Sequence, residues 1–116
     1  MSAVRTDEAL QELVAAVRGR YREKLVSVRP IERAAKLELD DSADLELVVV
    51  LVDGGGSIAT ERRAIEELAF GISSAHDLYI RPWVVAQTHW ESPQHSDHPS
   101  LIAELKRHAS AFAFAS

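Results

Sequence analysis

Cysteine is absent from this sequence of 116 residues. Its absence excludes a disulfide framework, a thiolate metal site and a cysteine nucleophile. No apolar run approaches the roughly 20 residues that a membrane-spanning helix needs. Residues 1–7 also lack the apolar core of a secretory signal. We therefore expect a cytoplasmic protein with no membrane contact, which forms one domain over residues 1–116.

The sequence also lacks an excess of basic residues. It has 18 acidic and 13 basic side chains, for a formal net charge of −5. This balance argues against general nucleic-acid binding, which needs a basic face to neutralise phosphates. The imbalance lies in one segment, because residues 38–46 hold five acids and no base. The preceding residues 18–36 hold seven bases. A solvated surface is the simplest interpretation of both segments.

Four helices are predicted from apolar residues at helical spacing and from capping residues. The first is capped by Thr6, with acidic residues in its first turn, and ends near Gly19. The second and third cover residues 31–39 and 60–74. Ser100 caps the last, and residues 111–116 are expected to fray after it.

Three strands are predicted between these helices. Residues 45–52 form the clearest, because seven of the eight residues are apolar and four are valine, which predicts a central strand buried on both faces. Residues 24–28 form a short strand that ends before Arg29-Pro30. Residues 78–87 form a third strand, which is broken or lies at an edge of the sheet near Pro82. The polar residues 89–99 form a loop. The predicted fold class is α/β (α+β), with a small mixed sheet flanked by helices.

Two carboxylates lie at the start of the central strand. Asp44 and Glu46 are two residues apart, and strand alternation points both side chains to the same face. Two carboxylates on a rigid strand end are what a Mg²⁺ ion bridging to a nucleoside triphosphate requires. Strands also often begin with solvated acids, so two surface residues are the alternative interpretation.

The order of these features resembles the nucleotidyltransferase superfamily of the polymerase β type, in particular its small stand-alone bacterial and archaeal members. In that family a Gly-Ser pair opens a short helix with an Ala-Arg-Gly run, and an Asp-x-Asp pair starts an apolar strand. The corresponding segments here are residues 32–37 and 41–50. Residues 79–85 and 98–102 are similar to the third strand and the closing helix of the family. The resemblance implies a nucleotidyltransferase-like domain over residues 1–116.

The resemblance also implies roles for individual residues. Asp44 and Glu46 would be the catalytic carboxylates and would hold Mg²⁺. Arg33 or Lys36 would contact the phosphates of a nucleoside triphosphate, because Ala35-Lys36 falls on the Ala-Arg of the family.

The sequence departs from the family pattern at its Gly-Ser motif. Glu32 and Arg33 stand there, whereas the family's glycine lets the backbone approach the triphosphate and its serine holds a phosphate oxygen. A carboxylate there repels phosphate and fills the space that glycine leaves open. Glu46 replaces the second aspartate and has a longer reach.

A second departure concerns the third carboxylate that many members carry on the third strand. This sequence offers Tyr79, Ile80 or Arg81 there, and Asp77 lies just upstream. Loss of that acid weakens activation of the attacking hydroxyl. We therefore expect a catalytically degenerate member of the fold.

Three histidines fall within ten residues. His89, His95 and His98 could bind a transition metal. Pro93 and Pro99 bracket His95 and His98, however, and an exposed loop without metal is the preferred interpretation.

Three functions remain in view. The first is a pseudoenzyme that acts through binding; as the resemblance implies, it would be the antitoxin-like partner of a helical HEPN-type (higher eukaryote and prokaryote nucleotide-binding) protein. The second is an active Mg²⁺-dependent nucleotidyltransferase, which moves a nucleoside monophosphate from a triphosphate onto a protein or small-molecule hydroxyl. The third is a homodimeric structural domain that binds no nucleotide.

Overall fold

The computed structural model describes residues 3–31, 43–54, 57–109 and 114–115. Its helices are α1 (Ala3–Tyr21), α2 (Ile58–His76), α3 (Gln87–Glu91) and α4 (Pro99–His108). Its strands are β1 (Leu25–Pro30), β2 (Leu45–Leu51), β3 (Ile80–Ala86) and β4 (Phe114–Ala115). The strands form a sheet of order β3-β2-β1-β4. β1 is antiparallel to β2 and β4, and β2 is parallel to β3. The predicted mixed sheet flanked by helices is confirmed.

The central strand β2 is buried on both faces, as its apolar sequence predicts. Alternate residues of β2 enter two different hydrophobic clusters, because successive side chains of a strand point to opposite faces. The first cluster, between the sheet and helices α1 and α2, includes Leu45, Leu47, Val49 and Leu51. The second cluster, between the sheet and helices α3 and α4, includes Val48 and Val50.

Helix α2 shows how helical spacing builds the first cluster. Ile65, Ala69 and Ile72 are buried at intervals of three and four residues, which places them on one face of the helix. Leu68 packs against the cluster from a partly buried position. The predicted helix and its buried face are confirmed, and α2 extends two residues further at each end.

Two predicted helix starts are wrong. Helix α1 begins at Ala3, so Thr6 lies inside the helix and does not cap it. Alanine is a strong helix former and lets the helix extend towards the N-terminus. Helix α4 begins at Pro99, with His98 instead of Ser100 at the cap position. Proline fits the first helical position because the amide hydrogen that it lacks has no partner within the helix there.

The two strand prolines both face away from β2. Ile31 donates its N–H to the carbonyl of Glu46, and the carbonyl of Tyr79 accepts the N–H of Asp44. The backbone N–H and C=O groups of alternate residues point to opposite edges of a strand. The backbones of Pro30 and Pro82 therefore face away from β2 and remove no hydrogen bond to it. β1 therefore continues through Pro30, whereas the sequence predicted that it ends earlier. β3 is an edge strand, as predicted.

The predicted loop over residues 89–99 is wrong in its first half. Helix α3 and a 3₁₀ turn at Pro93–His95 occupy this segment. Trp90 in α3 is only 7% exposed and belongs to the second cluster. The cations of Arg29 and Lys106 lie 5.7 and 5.8 Å from its ring centroid. Burial of this ring fixes a helix that the polar local sequence does not indicate.

Asp53 connects the end of β2 to the start of α3. Its carboxylate accepts a hydrogen bond of 2.8 Å from the backbone N–H of Thr88. The backbone and side-chain hydrogen bonds from Thr88 lower the pKa of Asp53 from its ordinary value of 3.8. Asp53 thus satisfies a backbone N–H in the first turn of the helix, as a capping residue does.

We expect Asp53→Ala to lower the free energy of unfolding by about 0.5–1 kcal/mol at neutral pH. Because the pKa of Asp53 is lowered in the folded state, its contribution is present above the unfolded pKa and disappears as the pH falls through the folded pKa. Chemical denaturation from pH 7 down to pH 2 measures this. The difference between wild type and variant should vanish at the acid end, and a difference that does not change with pH would contradict the account.

The C-terminal residues take part in the sheet instead of only fraying. Val28 of β1 pairs with Phe114, and Ser27 pairs with Ala115. Ala109 forms a bridge to Ile31. The remaining residues of the segment predicted to fray lie outside the described residues. In the part of the chain that the structure describes, no helix is long and apolar enough to cross a membrane.

Candidate functional site

The predicted site residues divide into two groups. Asp44 and Glu46 lie at the start of β2. Arg33 and Lys36, the predicted phosphate contacts, lie outside the described residues, as does the predicted helix over residues 31–39 after Ile31. The site can therefore be built from the carboxylates and their neighbours on β3.

Asp44 ties the start of β2 to the start of β3. Its Oδ2 atom accepts the backbone N–H of Tyr79 at 2.9 Å. Its own backbone N–H donates to the carbonyl of Tyr79, also at 2.9 Å. This reciprocal pair holds the two parallel strands in register. The side chain of Asp44 therefore has a structural role, and its catalytic role stays a prediction.

Glu46 lies on the sheet face that carries the second cluster, because Leu45 and Leu47 belong to the first. Its Oε2 atom accepts the indole N–H of Trp83 at 2.9 Å. The parallel register places Arg81 directly beside Glu46. The Arg81 guanidinium lies 4.4 Å from the centroid of the Trp83 ring. Glu46 therefore has an indole donor and a neighbouring cation around it.

No acid of β3 takes the place of the third carboxylate. Ile80 is buried in the first cluster, on the opposite face from Glu46. The side chain of Tyr79 is 43% exposed. Asp77 precedes β3 and ends helix α2 in a left-handed conformation, with φ of 54°. The strand position beside Glu46 holds Arg81, whose charge is opposite to that of a metal-binding acid.

The left-handed backbone at Asp77 gives a test of its role. If Asp77 only ends the helix, Asp77→Gly should raise the free energy of unfolding by about 0.5 kcal/mol, because glycine adopts this conformation without steric strain. Asp77→Val should lower it, since β-branched residues tolerate positive φ poorly. Thermal unfolding of both variants measures this. A stability order with Val above Gly would contradict this role.

The protein's own donors occupy one oxygen of each predicted metal ligand. Mg²⁺ is held by carboxylate oxygens in near-octahedral geometry, and Asp44 and Glu46 each accept a hydrogen bond from a protein N–H through one of their two oxygens. Within residues 3–31, 43–54, 57–109 and 114–115, no group of three acid or histidine side chains could hold a metal. We derive no metal-dependent step from this geometry, and the roles of Asp44 and Glu46 stay predictions.

The three histidines are spread over separate elements. His89 lies in α3, His95 ends the 3₁₀ turn, and His98 precedes α4. His95 and His98 are exposed and His89 is partly buried. None belongs to a metal-binding group within the described residues.

A groove that the sequence analysis missed runs along β3. It has a volume of about 380 Å³ and is lined by all of β3 except Ile80, by the N-terminal half of α2, by one face of α4, by residues 96–98 and by His89. Arg81 and Trp83, the neighbours of Glu46, both line it. Alternation along β3 indicates that Arg81 and Trp83 share a face, but no local motif marks the groove.

No protein-family model matches this sequence, and no curated protein matches it either. Among solved structures, the chain is similar to a candidate nucleotidyltransferase from Sulfolobus solfataricus, seen in a crystal structure at 1.40 Å resolution. The TM-score is 0.54 at 13% sequence identity, over 76% of this chain and 73% of the other. At this identity the likeness concerns the fold. The chain therefore has a nucleotidyltransferase-like fold, as the sequence predicted.

Proposed function

We propose that this chain, with its nucleotidyltransferase-like fold, is a catalytically degenerate protein that acts through binding. The observation that carries the proposal is the hydrogen bond from Trp83 to Glu46. A carboxylate that accepts an indole N–H is stabilised by the protein's own donor. Such a carboxylate gains less from a bound metal than one surrounded by other acids.

Two further features support the loss of catalysis. Asp44 holds the backbone of Tyr79, so both predicted catalytic carboxylates contribute to the fold itself. In the sequence, Glu32 and Arg33 replace the Gly-Ser pair of small stand-alone family members. A glutamate there opposes the approach of a triphosphate by charge and by size.

The partner that we propose is a helical HEPN-type protein in the cytoplasm, which this chain would bind as an antitoxin-like subunit. The resemblance supplies this partner. An exposed apolar residue supports a protein contact, since the side chain of Phe70 on α2 is 73% exposed. Large aromatic side chains are favoured in protein interfaces.

Calorimetric titration with Mg²⁺ and ATP tests the degenerate site. We expect the wild type and an Asp44→Asn, Glu46→Gln double variant to give the same Mg²⁺-dependent heat. Binding that the double variant loses would favour an active Mg²⁺-dependent nucleotidyltransferase instead.

Affinity capture from native extract, followed by mass spectrometry and reconstitution from purified components, tests the partner. We expect a stable complex with a helical HEPN-type protein that forms without nucleotide and is weakened by Phe70→Asp. Gly71→Asp, which adds the same charge next to Phe70 in α2, controls for charge. Elution of the chain alone, or only as a homodimer, would contradict the partner proposal.

A further inference from the structure

The groove along β3 has the size of a small-molecule site. Its volume is about 380 Å³, and ligand pockets in proteins span about 300–1,000 Å³. Apolar side chains of β3 and α4 form much of its wall, among them Trp83, Leu101 and Ile102. Such a wall suits the flat or apolar body of a ligand.

The polar groups of the groove carry mostly positive charge. Arg62 and Arg81 contribute permanent charges, and the imidazoles of His89 and His98 can donate hydrogen bonds. Asp97 is the one acid in the lining. In a chain with a net charge of −5, this local excess of cations favours an anionic ligand.

Arg81 is the strongest indication of an anionic ligand in the groove. Its Nε atom is buried and donates no hydrogen bond within the described residues. Its guanidinium lies over Trp83, and no carboxylate of the described residues forms an ion pair with it. A buried donor without an acceptor is unfavourable, and native proteins rarely leave one. An oxyanion in the groove would supply an acceptor for the guanidinium of Arg81.

We propose that this groove binds a small molecule with an oxyanion attached to a flat apolar body. The oxyanion, a phosphate or a carboxylate, accepts hydrogen bonds from Arg81, whose planar guanidinium matches both groups. The apolar body lies against Leu101 and Ile102 of α4. An added peptide strand fits less well, because Pro82 faces the free edge of β3 and offers no N–H to it. The inference does not depend on the proposed protein partner.

Calorimetric titration of the full chain with four probes tests the proposal: phenyl phosphate, benzoate, inorganic phosphate and benzyl alcohol. We expect saturable binding of phenyl phosphate or benzoate, with the tighter one showing which oxyanion is preferred. Inorganic phosphate and benzyl alcohol should bind more weakly, because each has only one of the two recognised parts. Equal affinity for inorganic phosphate and phenyl phosphate, or no saturation by any probe at millimolar concentration, would overturn the proposal.

Variants locate the binding. Arg81→Gln should weaken binding of the better probe by about tenfold or more, as loss of a charge-assisted hydrogen bond does. Arg63→Gln is the matched control, because Arg63 is exposed on α2 and does not line the groove. It should leave the affinity unchanged. Equal affinity of Arg81→Gln and wild type would overturn the assignment.

His98→Glu keeps the test decisive if Arg81→Gln does not fold. His98 lines the groove and is exposed, so an acid there should leave the fold intact. Its negative charge should repel the probe and weaken its binding severalfold, and His95→Glu should not. Unchanged affinity in His98→Glu would place the anion elsewhere.

Discussion

Replacement of Trp90 by alanine is expected to lower the free energy of unfolding by about 3–5 kcal/mol, the usual loss when a buried Trp or Phe is truncated. Trp90 is 7% exposed and packs in the second cluster with Val48 and Ile102. The variant loses this apolar burial and leaves a cavity beneath α4. It also loses the ring faced by Arg29 and Lys106. Urea denaturation followed by circular dichroism measures the effect.

Phe70→Ala is the matched control for Trp90→Ala. Phe70 lies in a regular part of helix α2, but its ring is 73% exposed. We expect its truncation to change the free energy of unfolding by about 0.5 kcal/mol or less, as is usual for surface substitutions. A Trp90→Ala protein as stable as Phe70→Ala would mean that the segment after β3 does not pack as described.

Truncation of Glu46 is the second substitution that we expect to lower the free energy of unfolding substantially. Glu46→Ala removes the acceptor of the Trp83 indole N–H and should lower the free energy of unfolding by about 1.5–3 kcal/mol, the contribution of a hydrogen bond to a charged group. Glu46→Gln keeps an oxygen that can accept the same bond, so its loss should be clearly smaller. Chemical denaturation of the three proteins in parallel gives both differences.

If Glu46→Ala is more stable than the wild type, Glu46 is a functional carboxylate that the fold holds at the expense of its own stability. Replacement of a functional residue often stabilises the folded protein, because active sites are strained or carry like charges close together. A Glu46→Ala protein at least as stable as the wild type would therefore contradict the structural role that we assign to the Trp83 bond.

Regular patterns of side chains made much of the fold predictable. The apolar segment of β2 and the spacing of Ile65, Ala69 and Ile72 in α2 depend on local periodicity, which is visible in sequence. The predicted edge position near Pro82 depends on the lack of a backbone donor. These elements agree with the structure because their local preferences and their burial point the same way.

The segment after β3 was not predictable from local sequence. The residues around Trp90 are polar, and helix α3 is stabilised by contacts with distant residues. Arg29 approaches the Trp90 ring, and Asp53 accepts the N–H of Thr88. Both partners lie more than 30 residues earlier, so periodicity within the segment carries no sign of them.

The candidate site was predictable only in part, because local periodicity places some of its residues and long-range pairing places the others. Strand alternation alone puts Asp44 and Glu46 on one face. The neighbours that change their chemistry, Arg81 and Trp83, depend on the register between β2 and β3. Register is set by long-range pairing and packing, and a shift of one residue would have turned Arg81 to the other face.

Transfer of label from radioactive nucleoside triphosphates tests the central claim, loss of catalysis, most directly. Wild type and Asp44→Asn would be incubated with Mg²⁺, α-phosphate-labelled nucleoside triphosphates and native extract as the source of acceptors. We predict that the wild type labels no acceptor above the level of Asp44→Asn. An acceptor labelled by the wild type and not by Asp44→Asn would contradict the account and show an active nucleotidyltransferase.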